Sequence, residues 1–394
     1  MGNRSRKRER GFSLLEMVIA LALGTIVTGA AVQLYSQGVS ATWTVSQRAE
    51  LQQDFRAASN ILTRDLSLAG AGLSDNAAIQ LATSATIPRY GCDQTGACYL
   101  GSANNAAGTY PLQSNGAPYL YGLLPGFEAG PTLTSNPQAT DTVTVVYTDN
   151  TFLLNCYAAT VTNATTVTFQ IPTGTPTPWP TGCVFPSGVT TPQLVNDTVV
   201  GLTAGDVILI SATLNSSQVV AEVTDKPTAT GATTFTVPFA AGDVLKMNQA
   251  TGTNNLASVT TGTQVTAQRL MVITYYLDNT PSPPRLMRQI SGHSPMPVAE
   301  NIVYMKFGYD MYNDNTSLPA VNQCKPGDNT TSCNLLNGST GSAGLLPNQI
   351  TKIDILHMAM DSTVKGAQGG YQGLDLETSV SARNLTYNDN YNNN

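Results

Sequence analysis

The chain is short of the residues that most chemistry uses. Of its 394 residues only two are histidine, His293 and His357, and its six cysteines show no C-x-x-C spacing. Zinc-type sites draw on clustered Cys and His, so no metal centre is expected. No G-x-S-x-G, H-E-x-x-H or G-x-x-x-x-G-K run occurs. Their absence removes the common signatures of a nucleophile elbow, a zinc hydrolase and a phosphate-binding loop. The chain is not expected to be an enzyme, and no cofactor is called for. His293 lies in a Ser-Gly-His-Ser-Pro loop and His357 in an apolar strand pattern, and both are expected to be structural. Asp310, Asn313 and Asp314 are spaced roughly like a calcium loop, but Met311-Tyr312 and the lack of a closing Gly and Glu weaken that pattern.

Charge is scarce too. Only 11% of residues are charged, and 25 acids stand against 19 Lys and Arg. A broad nucleic-acid-binding surface needs clustered positive charge, and the balance argues against one. Abundant Thr, Asn, Ser and Gly instead fit a β-rich extracytoplasmic domain with long loops. Proline is missing before Pro88, so nothing of that kind interrupts a long helix at the N-terminus. Between Met17 and Val32 there is no charge at all.

What stands before that run is basic: Arg4, Arg6, Lys7, Arg8 and Arg10 against a lone Glu9. Positive charge on this side places residues 1–11 in the cytoplasm and the bulk of the chain outside. Phe12 to Leu34 is roughly 23 residues, enough to cross ~30 Å of hydrocarbon. A secretory signal peptide has its apolar segment before the cut and loses it; here the apolar segment follows Gly11. Without residues 1–11, which hold five basic groups and one acid, the net charge goes from −6 to −10.

Glu16 sits at the edge of the uncharged run among Leu14, Leu15, Met17 and Val18. A charge inside a membrane costs at least ~2.5–3.5 kcal/mol at the helix centre. Either Glu16 lies near the interface and reaches water, or it has a partner. A cut between Gly11 and Phe12 creates an α-amine four residues before Glu16. In a helical array Glu16 of one subunit then neutralises the Phe12 amine of its neighbour, and a paired charge is tolerated where a lone one is not.

The segment Gly11-Phe12-Ser13-Leu14-Leu15-Glu16, with its basic leader and uncharged helix, resembles the cleavage and assembly signal of type IV prepilins and pseudopilins. The resemblance implies cleavage after Gly11 by a prepilin peptidase, N-methylation of Phe12 and an assembly role for Glu16.

Further on, Leu51, Phe55, Ala58, Leu62, Leu66 and Ala69 recur at steps of three or four, one apolar helical stripe that packs on the sheet that follows. Gly70-Ala71-Gly72 ends the helix. Residues 71–140 read as irregular. Strand patterns then follow at Asp141–Tyr147, Thr165–Ile171, Asp206–Ala212, Gln218–Thr224, Thr234–Pro238, Arg269–Leu277, Arg285–Ile290, Ile302–Asp310, Ile350–Asp361 and Leu374–Leu385. No β-helix-β alternation appears, so the sheet should be largely antiparallel. An insertion from Pro172 has six prolines by Pro192, too many for a central strand, and carries Trp179. A second irregular stretch runs from Tyr312 to Leu346. Six cysteines in an extracytoplasmic chain read as disulfides. Among the connectivities they allow, local pairing is simplest: Cys92–Cys98, Cys156–Cys183 and Cys324–Cys333, each stapling a loop.

Several segments extend the resemblance to PilW-type minor pilins: Leu62-Thr63-Arg64-Asp65-Leu66, the paired runs Gly205–Ile210 and Val219–Thr224, then Tyr275–Leu277, Arg285–Arg288, Val298–Ile302, Phe307–Asp310 and the closing Ala382–Leu385. GspJ-like pseudopilins share the N-terminus. The expected class is α+β: a long membrane-spanning N-terminal helix packed on a mostly antiparallel β-sheet domain with long disulfide-stapled loops. Residues 1–11 form the cleaved leader, 12–70 the helix (12–34 membrane and assembly, 35–70 amphipathic), 71–387 the extracytoplasmic β-rich domain and 388–394 a disordered tail. The resemblance implies a minor pilin in type IV pilus initiation near the filament tip, in the inner membrane until it joins the pilus. Its partners are then the prepilin peptidase, other minor and major pilins, the assembly platform and membrane lipid. The alternatives are a GspJ-like pseudopilin of type II secretion, or a tip subunit for adhesion or DNA uptake with its own surface ligand.

Overall fold

In the computed structural model the described residues are 11–73, 78–101, 105–113, 115–133, 136–171, 193–212, 217–280, 282–313, 320–324, 346–362, 371 and 373–386. They divide into two compact units. One takes the chain to Gln53 together with Ser362–Gln372, and the other takes Asp54–Asp361 and Gly373–Asn394.

The first unit is mainly the exposed part of one helix, which runs Leu14–Ser67, 54 residues or about 81 Å at 1.5 Å per residue. No proline interrupts it, and its threonines are satisfied inside it. Thr28 Oγ1 donates to the Gly24 carbonyl at 2.7 Å and Thr25 Oγ1 to the Ala22 carbonyl at 2.8 Å. A hydroxyl bonded to its own helix in this way needs no water, which is how threonine is accommodated in the apolar run. Phe12, Leu14, Tyr35 and Trp43 are all largely exposed.

The helix changes character where it enters the second unit. Phe55, Ala58, Leu62 and Leu66 are buried, as the apolar stripe requires, and so is Asp65. The expected end is found: Leu68 and Ala69 donate to Asp65 and Leu66, and Gly70 turns the chain with φ +77°. The Gly70 amide then bonds the Val146 carbonyl at 2.8 Å. Gly122 faces this turn, and a Cβ there would stand 2.6 Å from Gly70 Cα and 2.5 Å from Leu385 Cδ2. Only glycine lets the backbones approach that closely.

The sheet that meets the helix is built round Gln264–Asp278. Its first half pairs with Val207–Ala212 and its second half with Arg285–Ile290, both along one edge. The other edge pairs with Ala158–Asn163 and Thr142–Thr148. All of these pairings are antiparallel. From Leu270 to Leu277 this strand is buried except at Met271, so it reads as a near-continuous apolar run rather than an alternating one. A second antiparallel sheet runs Ala320–Cys324, Ile302–Asn313, Ile350–Asp361, Gly373–Ser381 in spatial order.

Several expectations are corrected. The helix begins at Leu14 rather than Phe12. Residues 71–140 hold short strands such as Ala78–Gln80, Tyr119–Tyr121 and Leu123–Gly126; runs of two to four residues are too short to show alternation. Ala158–Asn163 and Met296–Glu300 are strands as well. The stretch after Tyr312 contains the strand Ala320–Cys324. The last strand stops at Ser381, and Arg383–Thr386 turn into a short helix. The proline-rich insertion 172–192 with Trp179, and the tail 388–394, lie outside the described residues.

Two buried polar contacts hold the second unit together. Asp65, 4% exposed, accepts from Tyr275 Oη at 2.6 Å and Arg288 Nε at 2.8 Å. Asp141 joins the two sheets. It accepts from Lys306 Nζ at 2.9 Å, Phe307 N at 3.0 Å and Glu128 N at 2.9 Å, while its own amide donates to Met305 O. Burial pushes the Asp141 carboxyl up, and these donors pull it back.

Removing one partner of a buried charge pair costs about 3–5 kcal/mol, whereas replacing the whole pair by apolar groups costs far less. Asp65→Ala should therefore destabilise the second unit by about 3 kcal/mol or more. Asp65→Leu combined with Arg288→Met should recover part of that loss. Denaturant unfolding of the detergent-solubilised chain, followed by tyrosine fluorescence, measures both.

Candidate functional site

The chemistry at the N-terminus starts from the first turn of the helix, whose leading amides have no intrahelical acceptors. Ser13 supplies the cap. Its Oγ accepts from Leu15 N at 3.3 Å, and its carbonyl takes the first helical bond, from Met17 N at 3.2 Å. Glu16 closes the arrangement: its Oε2 accepts from Ser13 N at 3.2 Å. Ser at the cap and Glu three residues on have the spelling of a capping box: the Glu16 side chain reaches back to the Ser13 amide, while the Ser13 hydroxyl takes the amide of Leu15. The spelling Ser13-Leu14-Leu15-Glu16 carries that signal, and attention to Glu16 as a membrane charge alone passes over it. Gly11 and Phe12 precede the helix and are exposed. The helix behind them is the one among the described residues long and apolar enough to cross a membrane.

The cysteines lie in the second unit. Cys92 and Cys98 form a disulfide. Inside that loop Asp93 accepts from Thr95 N at 2.9 Å, Thr95 Oγ1 at 2.6 Å and the Tyr99 hydroxyl. Cys156 and Cys324 are disulfide-bonded as well, while Cys183 and Cys333 lie outside the described residues.

Gln94, from the same loop, donates to Glu222 Oε1. Glu222 is fully buried, and its other oxygen accepts from Leu245 N at 2.7 Å. Its neighbour Asp243 accepts from Met247 N at 2.8 Å and Asn248 N at 2.9 Å. Burial, then the hydrogen bond with Asp243, push the Glu222 carboxyl up to about 8. No local sequence pattern announces this pair, because its members are 21 residues apart.

Each histidine has a carboxylate partner. His293 Nε2 lies 3.0 Å from Asp206 Oδ1, and His357 Nδ1 lies 2.7 Å from Asp375 Oδ2. Among the described residues no three His, Cys, Asp or Glu side chains are placed to hold a metal ion. Asp310 is paired with Lys352 at 3.5 Å, and Asp314 lies outside the described residues.

Two predictions follow from this geometry. Ser13→Ala removes the cap and should cost about 1 kcal/mol locally. Faster amide exchange at Leu14–Met17 in detergent would register it, while Glu16→Gln, which also completes a capping box, should leave exchange there nearly unchanged. For Glu222, a folded-state value raised above the ordinary 4.5 means that the folded chain holds the proton more tightly. Its stabilising contribution is complete below about pH 4.5 and is lost as pH rises through about 8. The melting temperature should fall across that window, and Glu222→Gln should flatten the fall.

Against known families, residues 6–32 match the prokaryotic N-terminal methylation motif. Neither a curated protein nor a solved structure matches the chain. The capped apolar helix and this motif coincide, so in its N-terminal segment the chain is type IV pilin-like.

Proposed function

We propose that this chain is a minor pilin of the PilW type, a structural subunit rather than an enzyme. Prepilin peptidase cuts between Gly11 and Phe12, and Phe12 is N-methylated. The precursor sits in the inner membrane with residues 1–11 in the cytoplasm and the β-rich part in the periplasm. It then joins other minor and major pilins at the assembly platform and enters a type IV pilus near its tip. The observation that carries this reading is the juxtaposition at the helix start. The methylation motif spans a helix whose only carboxylate between Phe12 and Val32 is Glu16, held beside Ser13 N at 3.2 Å. The Phe12 amine released by cleavage lies one residue before that cap. In an apolar filament core it requires a counter-charge, which a neighbour's Glu16 supplies.

Mass spectrometry of the mature N-terminus should find N-methylated Phe12; a mature chain beginning at Met1 would sink the reading. Glu16→Gln should insert, be cleaved and leave the β-rich part protease-resistant, yet enter sheared filaments far less than wild type at equal membrane abundance. Equal incorporation would mean that Glu16 merely reaches the membrane interface. Deletion of the gene should abolish filaments. Intact filaments with lost secretion, or with lost adhesion or DNA uptake, would point to a pseudopilin or to a tip-binding subunit instead.

A further inference from the structure

We propose that the edge strand Gly373–Ser381 is a docking site for a β-strand of another protein, one that alternates apolar and basic residues. This strand ends the second sheet, and among the described residues nothing pairs with its outer edge. Open edges are ordinarily blunted by proline, charged side chains (lysine above all), bulges or short length. Here the only blunting charges are acidic, with one register shift in the pairing behind them, between Ile355 and Met358. This one is nine residues long and contains no proline, lysine or arginine.

The packing behind it is unfinished in the same direction. Leu374 lies opposite Met360, and Leu376 opposite Met358. The two methionines are 1% and 0% exposed, but Leu374 and Leu376 are only half-buried. Among the described residues the apolar face therefore runs out to the edge and is only partly covered there. A further strand would continue it and satisfy the open backbone groups, the usual basis of recognition by strand addition.

Charge selects the occupant. On the opposite face the strand exposes Asp375 and Glu377, and only the His357 contact to Asp375 partners them among the described residues. Cross-strand pairs of opposite sign stabilise, and like charges directly opposite destabilise. A second copy of this strand would bring a second acidic row, so self-pairing is disfavoured. The chain's own tail, Tyr387–Asn394, holds no basic and no aliphatic residue and lacks the chemistry as well. The fitting strand has Lys or Arg beside Asp375 and Glu377, and Val, Ile or Leu beside Leu374 and Leu376.

The test uses the full chain in detergent with two acetylated heptapeptides, one alternating valine and lysine, the other valine and glutamate. Amide exchange read by mass spectrometry locates binding. The lysine peptide should slow exchange within 373–381 and bind at least about tenfold more tightly than the glutamate peptide. Asp375→Lys combined with Glu377→Lys should reverse that preference. The proposal fails if these amides are already slow in the isolated chain, because its own residues then cover the edge. It fails equally if the lysine peptide does not bind, or binds without protecting this strand. These readouts need no filament, so their failure leaves the assembly reading of Phe12 and Glu16 untouched.

Discussion

The second unit depends on one carboxylate placed where an apolar side chain would be expected. Asp65 lies in the buried stripe of the helix between Leu62 and Leu66, and an unpaired charge there would be prohibitive. Tyr275 from the central strand and Arg288 from its neighbour both donate to the same oxygen, Oδ2. Apolar contacts alone would let the helix slide or rotate, since they are non-directional. Two donors converging on one oxygen fix both its rotation and its height. Burial and the Asp65 charge push the Tyr275 phenol far above its ordinary value, so it remains a donor at every accessible pH. The turn that follows, with Gly70 against Gly122, is then set in position rather than found by chance.

Glu16 meets a different pair of demands at the other end of the same helix. Capping requires only an acceptor oxygen at the third helical position, and a neutral amide supplies one. Charge becomes necessary when the residue before the cap carries an amine. A helix N-terminus is already the positive end of the peptide dipoles, so an ammonium group one residue before Ser13 is unfavourable. Methylation leaves an amine its charge. The Glu16 carboxylate satisfies the Ser13 amide, and under the proposed cleavage it would also be available as a counter-charge to a Phe12 amine of a neighbouring subunit. That double use would account for an acid one turn into the helix rather than before it.

How much of this was legible depends on the range of the interaction that decides each element. Thr234–Pro238, Arg285–Ile290 and Ile350–Asp361 are found with the expected limits, because short runs with apolar or β-branched residues next to Gly, Pro or Asp are local signals. Met296–Glu300 has no strand periodicity of its own and contains Pro297, although Val298–Ile302 entered the family resemblance; it sits beside Arg285–Ile290, with a register shift between Leu286 and Met287. Ala158–Asn163 lacks bulky residues and is held by what it pairs with. The closing segment ends early because Ala382–Leu385 is drawn into a turn, where Leu385 is buried against Gly122. At the site, the capping box was written in four adjacent residues. The Glu222–Asp243 pair and the Asp65 anchor were not, since their partners come together only when distant strands do.

These buried pairings change what the composition means. The formal excess of acid suggests a uniformly negative exterior, but Asp65, Asp93, Asp141, Asp206, Glu222 and Asp243 are all buried. Each is engaged by backbone amides, hydroxyls or a cation. Their charge is spent on holding loops and sheets, and Glu222 is raised far enough to hold its proton near neutral pH. In a chain with so few charges, each exposed carboxylate outside such a network is a large part of the local potential. Asp375 and Glu377 stand two residues apart on one exposed row, so whatever approaches that strand meets a local negative field that net charge alone does not locate.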